Sequence, residues 1–371
     1  MANRLGIFKR ERQVPQMEDP SPSTSGMHLR ASDSLPCGMS DAVPASIEAD
    51  LTQRPRANSR RGSSGCIAAG TSGNRRAKAT MTRTTIHRIE AEGVKVFYRE
   101  SGPQDAPIVL LLHGFPTSSF QYRELIPRLA DRYRVIAPDL PGFGFTEVAE
   151  GRHYRYTFDA LAGTILAFTD ALDLKRYALY VFDYGAPVGF RLAMARPDRV
   201  TAIVSQNGNA YEEGLGDGWA PTRHYWVNPS AENRETLRHA LNPNGLRWRY
   251  VVGAPDPDAI APEGYTLDAA MMARPGNMDI QLDLLLDYAN NVKLYPAFQE
   301  YFRKSKPPLL AIWGRNDPFF LPAGARAFAR DNSNAADLLL DAGHFALETH
   351  VDEIAAAMRQ FLEKNAARAR R

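Results

Sequence analysis

The sequence predicts an α/β chain: a mostly parallel sheet with helices on both faces and a helical segment inserted late. Three observations predict it. Short apolar runs alternate with amphipathic stretches of helical length. Those runs are continuously apolar, as strands covered on both faces should be. The rhythm stops between about residues 209 and 303 and then resumes.

Taken in order, "TIHRIEAEGVKVFYRE" (Thr85–Glu100) reads as two strands around Glu92-Gly93. "PIVLLLHG" (Pro107–Gly114) reads as a buried strand closed by glycine. "SSFQYRELIPRLADR" reads as one helix, and "YRVIAPDLPGFG" as a strand followed by a Gly/Pro loop. "TFDALAGTILAFTDAL" is helical, "RYALYVF" a strand, "GAPVGFRLAMARP" a helix and "RVTAIVSQN" a strand. Residues 209–303 are rich in aromatic and helical stretches and hold no apolar strand run. They are expected to cap the carboxyl ends of the strands, where open α/β sheets bind ligands. "PPLLAIWG" restores the strand; a helix around Gly324–Arg330, a strand "ADLLLDAG" and a helix "VDEIAAAMRQFLEK" close the chain. The expected division is therefore a core of residues 81–208 and 304–371 with a cap of residues 209–303.

Residues 1–80 are rich in Ser, Gly, Pro and Arg without an apolar period, and read as a disordered tail. Three readings stand open: a plain extension, a transit peptide, or an upstream stretch before a translation start at Met81. Glu11, Glu18 and Asp19 count against the transit peptide. Cys37 and Cys66 both lie in this tail. No disulfide or thiol chemistry is thus expected in the remainder. The whole chain has 371 residues, 45 Lys/Arg against 42 Asp/Glu and a formal net charge of +3. That balance does not suggest a nucleic-acid or membrane-surface role. No run of 18 apolar residues is present, and a cytoplasmic location is the expectation.

Four strand ends carry unusual residues. They are His113-Gly114-Phe115-Pro116, then Asp183, Asp317 and His344. Asp183 stands where a core strand turns sharply into a helix, with Gly185 relieving the crowding after it and Pro187 suited to the first helical turn. The helix N-terminus and nearby amides would keep it ionised, and an ionised carboxylate needs no base to act as a nucleophile. Each residue also has a plainer reading. Asp183 suits a helix N-cap, Asp317 before Pro318 suits a turn, and His344 could be a satisfied buried histidine. Their joint order, carboxylate, carboxylate, histidine, favours catalysis.

The pieces HGFP, DLPGFG, D-Y-G-A-P-V-G, W-G-x-x-D and G-H-F, in that order, resemble the α/β-hydrolase fold. The resemblance is to its carboxylate-nucleophile branch of epoxide hydrolases and haloalkane dehalogenases, and it covers roughly Thr85 to Lys364. It departs at Val181, where the elbow pattern usually has a smaller residue. The resemblance implies Asp183 as nucleophile, His344 as the base that activates water, and Asp317 as the group that orients His344. The backbone N–H groups of Phe115 and Tyr184 would form the oxyanion hole. It implies no cofactor and no metal. A pocket against His113, Gly114, Pro116 and Trp226 would take a hydrophobic small molecule, with water as co-substrate.

The branch rests on smaller features. Epoxide hydrolases use two lid tyrosines as acids; Tyr225 and Tyr288 fit best, with Tyr211 and Tyr295 next. Dehalogenases hold the halide with tryptophan, and here Tyr184 stands directly after the nucleophile while Trp226 lies in the inserted segment. Fluoroacetate-type enzymes place arginines just after the nucleophile; this chain has Tyr184 and Pro187 there, so no clamp for a carboxylate is expected. Epoxide hydrolysis is the first expectation and haloalkane dehalogenation the second. A non-catalytic binding protein on the same fold is the reading from another class.

Overall fold

The computed structural model describes residues 83–149 and 151–366. The expected tail, Met81 and both cysteines lie outside them. The elements run in chain order as β1 (Thr85–Ala91), β2 (Val94–Ser101), β3 (Ile108–Leu112), α1 (Leu125–Leu129), β4 (Arg134–Pro138), β5 (Glu147–Val148), α2 (Phe158–Ala171), β6 (Tyr177–Phe182), α3 (Gly185–Ala195) and β7 (Val200–Gln206). Then come α4 (Ala220–Val227), α5 (Ala231–Ala240), α6 (Pro243–Val251), α7 (Glu263–Met272) and α8 (Asn277–Ser305). β8 (Leu309–Gly314), α9 (Pro322–Asp331), β9 (Ala335–Leu340) and α10 (Leu347–Lys364) complete it.

Among the described residues the strands form one sheet in the order β1-β2-β4-β3-β6-β7-β8-β9, with β5 on β2. β1, β2 and β5 pair antiparallel, while β4-β3-β6-β7-β8-β9 are all parallel. The chain leaves β3 for β4 on one side and returns to β6 on the other. The connections that follow β3 and β6 therefore leave for opposite faces of the sheet, which makes the carboxyl ends of these two strands the switch point where such sheets bind ligands.

β6 explains why the strands read as unbroken apolar runs. All six of its residues are buried. Tyr177, Leu179 and Val181 enter one core, with α2, α3, α8 and α9. Ala178, Tyr180 and Phe182 enter the other, with α1 and α10. The period of two is present but hidden, because both faces are covered.

The stretch expected as one helix over "SSFQYRELIPRLADR" is instead a 3-10 turn, Ser119–Tyr122, followed by the short α1. Pro127 is the reason. It lacks an N–H and is tolerated only in a first turn, so an α-helix containing it must start about where α1 does. The closing helix begins four residues earlier than expected, with a break from helical geometry at His350. Between β7 and β8 the described residues hold five α-helices and 3-10 turns, and no strand of the sheet. No helix among the described residues is long and apolar enough to cross a membrane.

Candidate active site

Asp183 follows β6 with φ 47°, a left-handed conformation uncommon for a residue with a side chain. The turn is forced tight by Gly185, where an added Cβ would lie 2.1 Å from the carbonyl oxygen of Leu112. Only glycine allows the start of α3 to press on β3 in this way. Val181 fits the elbow because Gly189 faces it: a Cβ there would fall 2.5 Å from Val181 Cγ1.

Leu112 pairs with Val181 across β3 and β6, which brings the loop after β3 beside the elbow. Asp183 Oδ1 accepts two backbone hydrogen bonds, from Phe115 N at 2.6 Å and Tyr184 N at 2.6 Å. Its other oxygen, Oδ2, lies 3.7 Å from His344 Nε2. His344 Nδ1 is 2.7 Å from Asp317 Oδ2. Asp317 Oδ2 also accepts from Asn207 Nδ2 at 2.7 Å, and Oδ1 from Phe319 N at 2.7 Å. All three catalytic candidates are buried. They follow β6, β8 and β9, and Asn207 follows β7 between them.

Burial pushes the Asp183 carboxyl above its ordinary value, and the nearby Asp317 charge adds to this. His344 and the two amides pull the other way. The amides and His344 favour the charged form, as the sequence led one to expect of the amides, and burial opposes them.

The cavity at Asp183 has a volume of about 30 Å3. Phe115, Asp183, Tyr184, Phe319 and His344 line it from the strand ends. Gly218, Trp219, Thr222, Arg249 and Leu285 line it from the segment between β7 and β8. Its walls are thus aromatic with charged groups set into them.

Several expected pocket residues are not on these walls. His113 is fully buried; Leu140 N donates to its Nε2 at 2.9 Å, so Nδ1 carries the proton toward Gly114 O at 3.0 Å. The ring ties two loops together and leaves no nitrogen for a substrate. Gly114 packs against the Asp183 side chain, and Pro116 follows a cis bond after Phe115. Trp226 spends its indole N–H on Leu285 O at 2.7 Å and stacks on Tyr288.

The expected acid tyrosines are also turned to other tasks. Tyr225 Oη accepts from Arg234 Nη1 at 3.1 Å. Tyr288 packs on Trp219 and Tyr184. Tyr295 Oη accepts from Asn209, and Tyr211 lies against Phe328 and Arg330. None of the four lines the cavity.

Three residues that the sequence did not single out stand here. Asn207 has φ 45° and braces Asp317, while its Oδ1 accepts from Gly314 N at 2.9 Å. An Asn-Gly pair directly after a strand is the signal that could have found it. Trp219 and Arg249 line the cavity, but "GDGWAP" and "LRWRYV" carry no motif that marks them.

The chain is similar in sequence and in fold to known hydrolases. The sequence profile of the α/β hydrolase fold matches residues 107–351. An uncharacterized hydrolase of Saccharomyces cerevisiae is 50% identical over 275 residues, which are 73% of this chain and 94% of that protein. Haloalkane dehalogenase 2 of Mycobacterium bovis is 30% identical over 278 residues, covering 71% of this chain and 90% of that protein. The structure of an epoxide hydrolase from Vigna radiata matches 76% of this chain and 98% of its own, with a TM-score of 0.61 at 23% identity. That last likeness is one of fold.

Proposed function

This chain belongs to the α/β-hydrolase fold family, and from that premise we propose that it hydrolyses small alkyl electrophiles through an ester formed on Asp183. The observation that carries the reading is the division of labour between the two oxygens of Asp183. Oδ1 is held by two amides, while Oδ2 faces His344. Oδ2 is the oxygen free to attack.

The reaction runs in two steps. Oδ2 attacks a saturated carbon; the C–O bond forms as the bond to the leaving group breaks. His344 Nε2 then takes a proton from water, and the hydroxyl adds to Cγ of the ester. Negative charge develops on Oδ1, where Phe115 N and Tyr184 N already donate. Collapse breaks the Cγ–Oδ2 bond. The product leaves as an alcohol with the proton from His344, and Asp183 is restored with an oxygen from water. Asp317 accepts from Nδ1 of His344 and stabilises the imidazolium. Helices α4 to α8 act as the cap that closes the cavity.

For the leaving group, the walls favour halide. Trp219 Nε1 is a buried donor without a partner; an indole N–H can hold an anion but cannot protonate an alkoxide. The dehalogenase relative supports the same reading. One observation favours epoxide opening as a second reading. Tyr184 lines the cavity and its hydroxyl is buried without a partner; turned toward the substrate it would give its proton to the opening oxygen.

The test is a pair of assays with the full chain, one following bromide from 1-bromobutane and one following diol from styrene oxide. An Asp183→Asn control accompanies both. Bromide lost in the variant supports dehalogenation; diol without bromide supports the second reading. A His344→Gln variant should accumulate the ester, seen as added mass on the peptide holding Asp183. Absence of ester with either reagent would leave a binding protein as the better account.

A further inference from the structure

Arg249 is the least expected group at the site. It lies in the last turn of α6 and reaches the cavity wall opposite the strand ends. Its guanidinium carbon stands 5.2 Å from the centre of the Phe115 ring and 4.7 Å from that of Phe319. Among the described residues it forms no hydrogen bond or ion pair, and Nε is sealed from solvent without a partner.

Among the described residues Arg249 pairs with neither Asp183 nor Asp317, the carboxylates whose charge acts on it. Two amides hold Asp183 Oδ1. Asn207, Phe319 N and His344 surround Asp317. Aromatic faces attract a cation but accept no N–H bond in the plane of the fork. Burial accordingly pulls the Arg249 guanidinium below its ordinary range, against the opposing charges of Tyr184, Asp183 and Asp317. A charge set in a wall without an acceptor is costly unless a ligand supplies one. Trp219 Nε1, from the same helical side, and Tyr184 Oη, from the strand side, are further buried donors without acceptors in residues that line this cavity. Three unanswered donors around one small cavity match an anionic guest.

We propose that Arg249 binds the carboxylate of the substrate, so that the preferred electrophile is a short acid with its leaving group beside the carboxyl carbon. This rests on the Asp183 reading and narrows its substrate class. Burial agrees, because Arg249 Nε is sealed from solvent and meets no acceptor among the described residues. So does charge: two carboxylates cannot meet in a closed site unless a cation offsets their repulsion, and Arg249 is the cation on the wall. The chemistry balances as before, a 2-haloacid and water giving a 2-hydroxyacid, halide and a proton.

The test compares 2-bromopropionate with its neutral amide in the full chain. The wild type should favour the acid, and Arg249→Met, which keeps the stem between the two rings, should lose that preference through a KM raised about 10- to 100-fold. Arg249→Lys should restore part of it, as a point charge without the fork. Equal use of acid and amide, or a preference that survives in Arg249→Met, overturns the proposal. A second measurement needs no turnover. Propionate is titrated calorimetrically into Asp183→Asn and into the same chain carrying Arg249→Met. Binding weakened about tenfold or more by the second change supports the proposal even if no substrate reacts. Binding that is absent or unchanged overturns it, whatever becomes of the Asp183 reading.

Discussion

The two walls of the cavity are built differently. On the strand side, each oxygen of Asp317 has a donor, His113 has both ring nitrogens engaged, and Asp183 Oδ1 has two amides. On the helical side, Trp219 Nε1 and Arg249 Nε are buried with none, a lack shared on the strand side by Tyr184 Oη. Groups that must hold a geometry are paired within the protein, since a paired group is fixed and its burial is offset. Groups that must meet a substrate are left open. Under the proposed function the contrast separates reaction from selection: the strand ends would set what bond is made, and the inserted helices what may reach it.

Removing a partner on the strand side should cost most. Asp317→Asn should lower turnover about a thousand- to ten-thousand-fold with the fold retained, because the amide no longer fixes the tautomer or stabilises the imidazolium. Steady-state kinetics beside a circular dichroism spectrum would check this. Asn207→Ala should act more weakly, as it touches no substrate. It leaves Gly314 N and one site on Asp317 open, an expected loss of about 1–3 kcal/mol in stability, read by urea unfolding. If it instead matched Asp317→Asn in turnover with no change in stability, Asn207 would have to touch the reacting groups.

A change on the helical wall should spare the chemistry. Trp219→Phe keeps the ring and removes the N–H; halide release should slow about tenfold while the trapped ester of the His344 variant still forms. An unchanged rate would show that the open indole donor is not used.

The smallest effect concerns pH. Burial raises the Asp183 carboxyl above its unfolded value. The folded chain thus binds a proton more tightly than the unfolded one between those two values. Stability from this group is present below the unfolded value and is lost as pH rises through the folded one. Asp183→Asn should therefore melt higher than wild type at neutral pH, and the gap should close in acid. A gap that widens in acid would mean that the amides, not burial, dominate.

Much of this was legible in the sequence because it follows from local chain chemistry. Continuous apolar runs mark strands covered on both faces, and a carboxylate before Tyr184-Gly185 marks a tight strand–helix turn. Parallel neighbours then bring Asp183, Asp317 and His344 to one sheet edge, since every strand in that set ends on the same side. Even Pro127 announces where α1 must begin. What only the tertiary structure decided is which side chains of α4 to α8 reach the cavity. A helix presents a face, but its rotation and its docking on the strand ends come from packing across the whole segment. So Tyr225, Tyr288 and Trp226, the residues that sequence favoured, are bonded or packed elsewhere, while Trp219 and Arg249 line the cavity. The reacting groups are carried by backbone turns that the sequence encodes nearby, and the selecting groups by contacts between residues far apart in the chain.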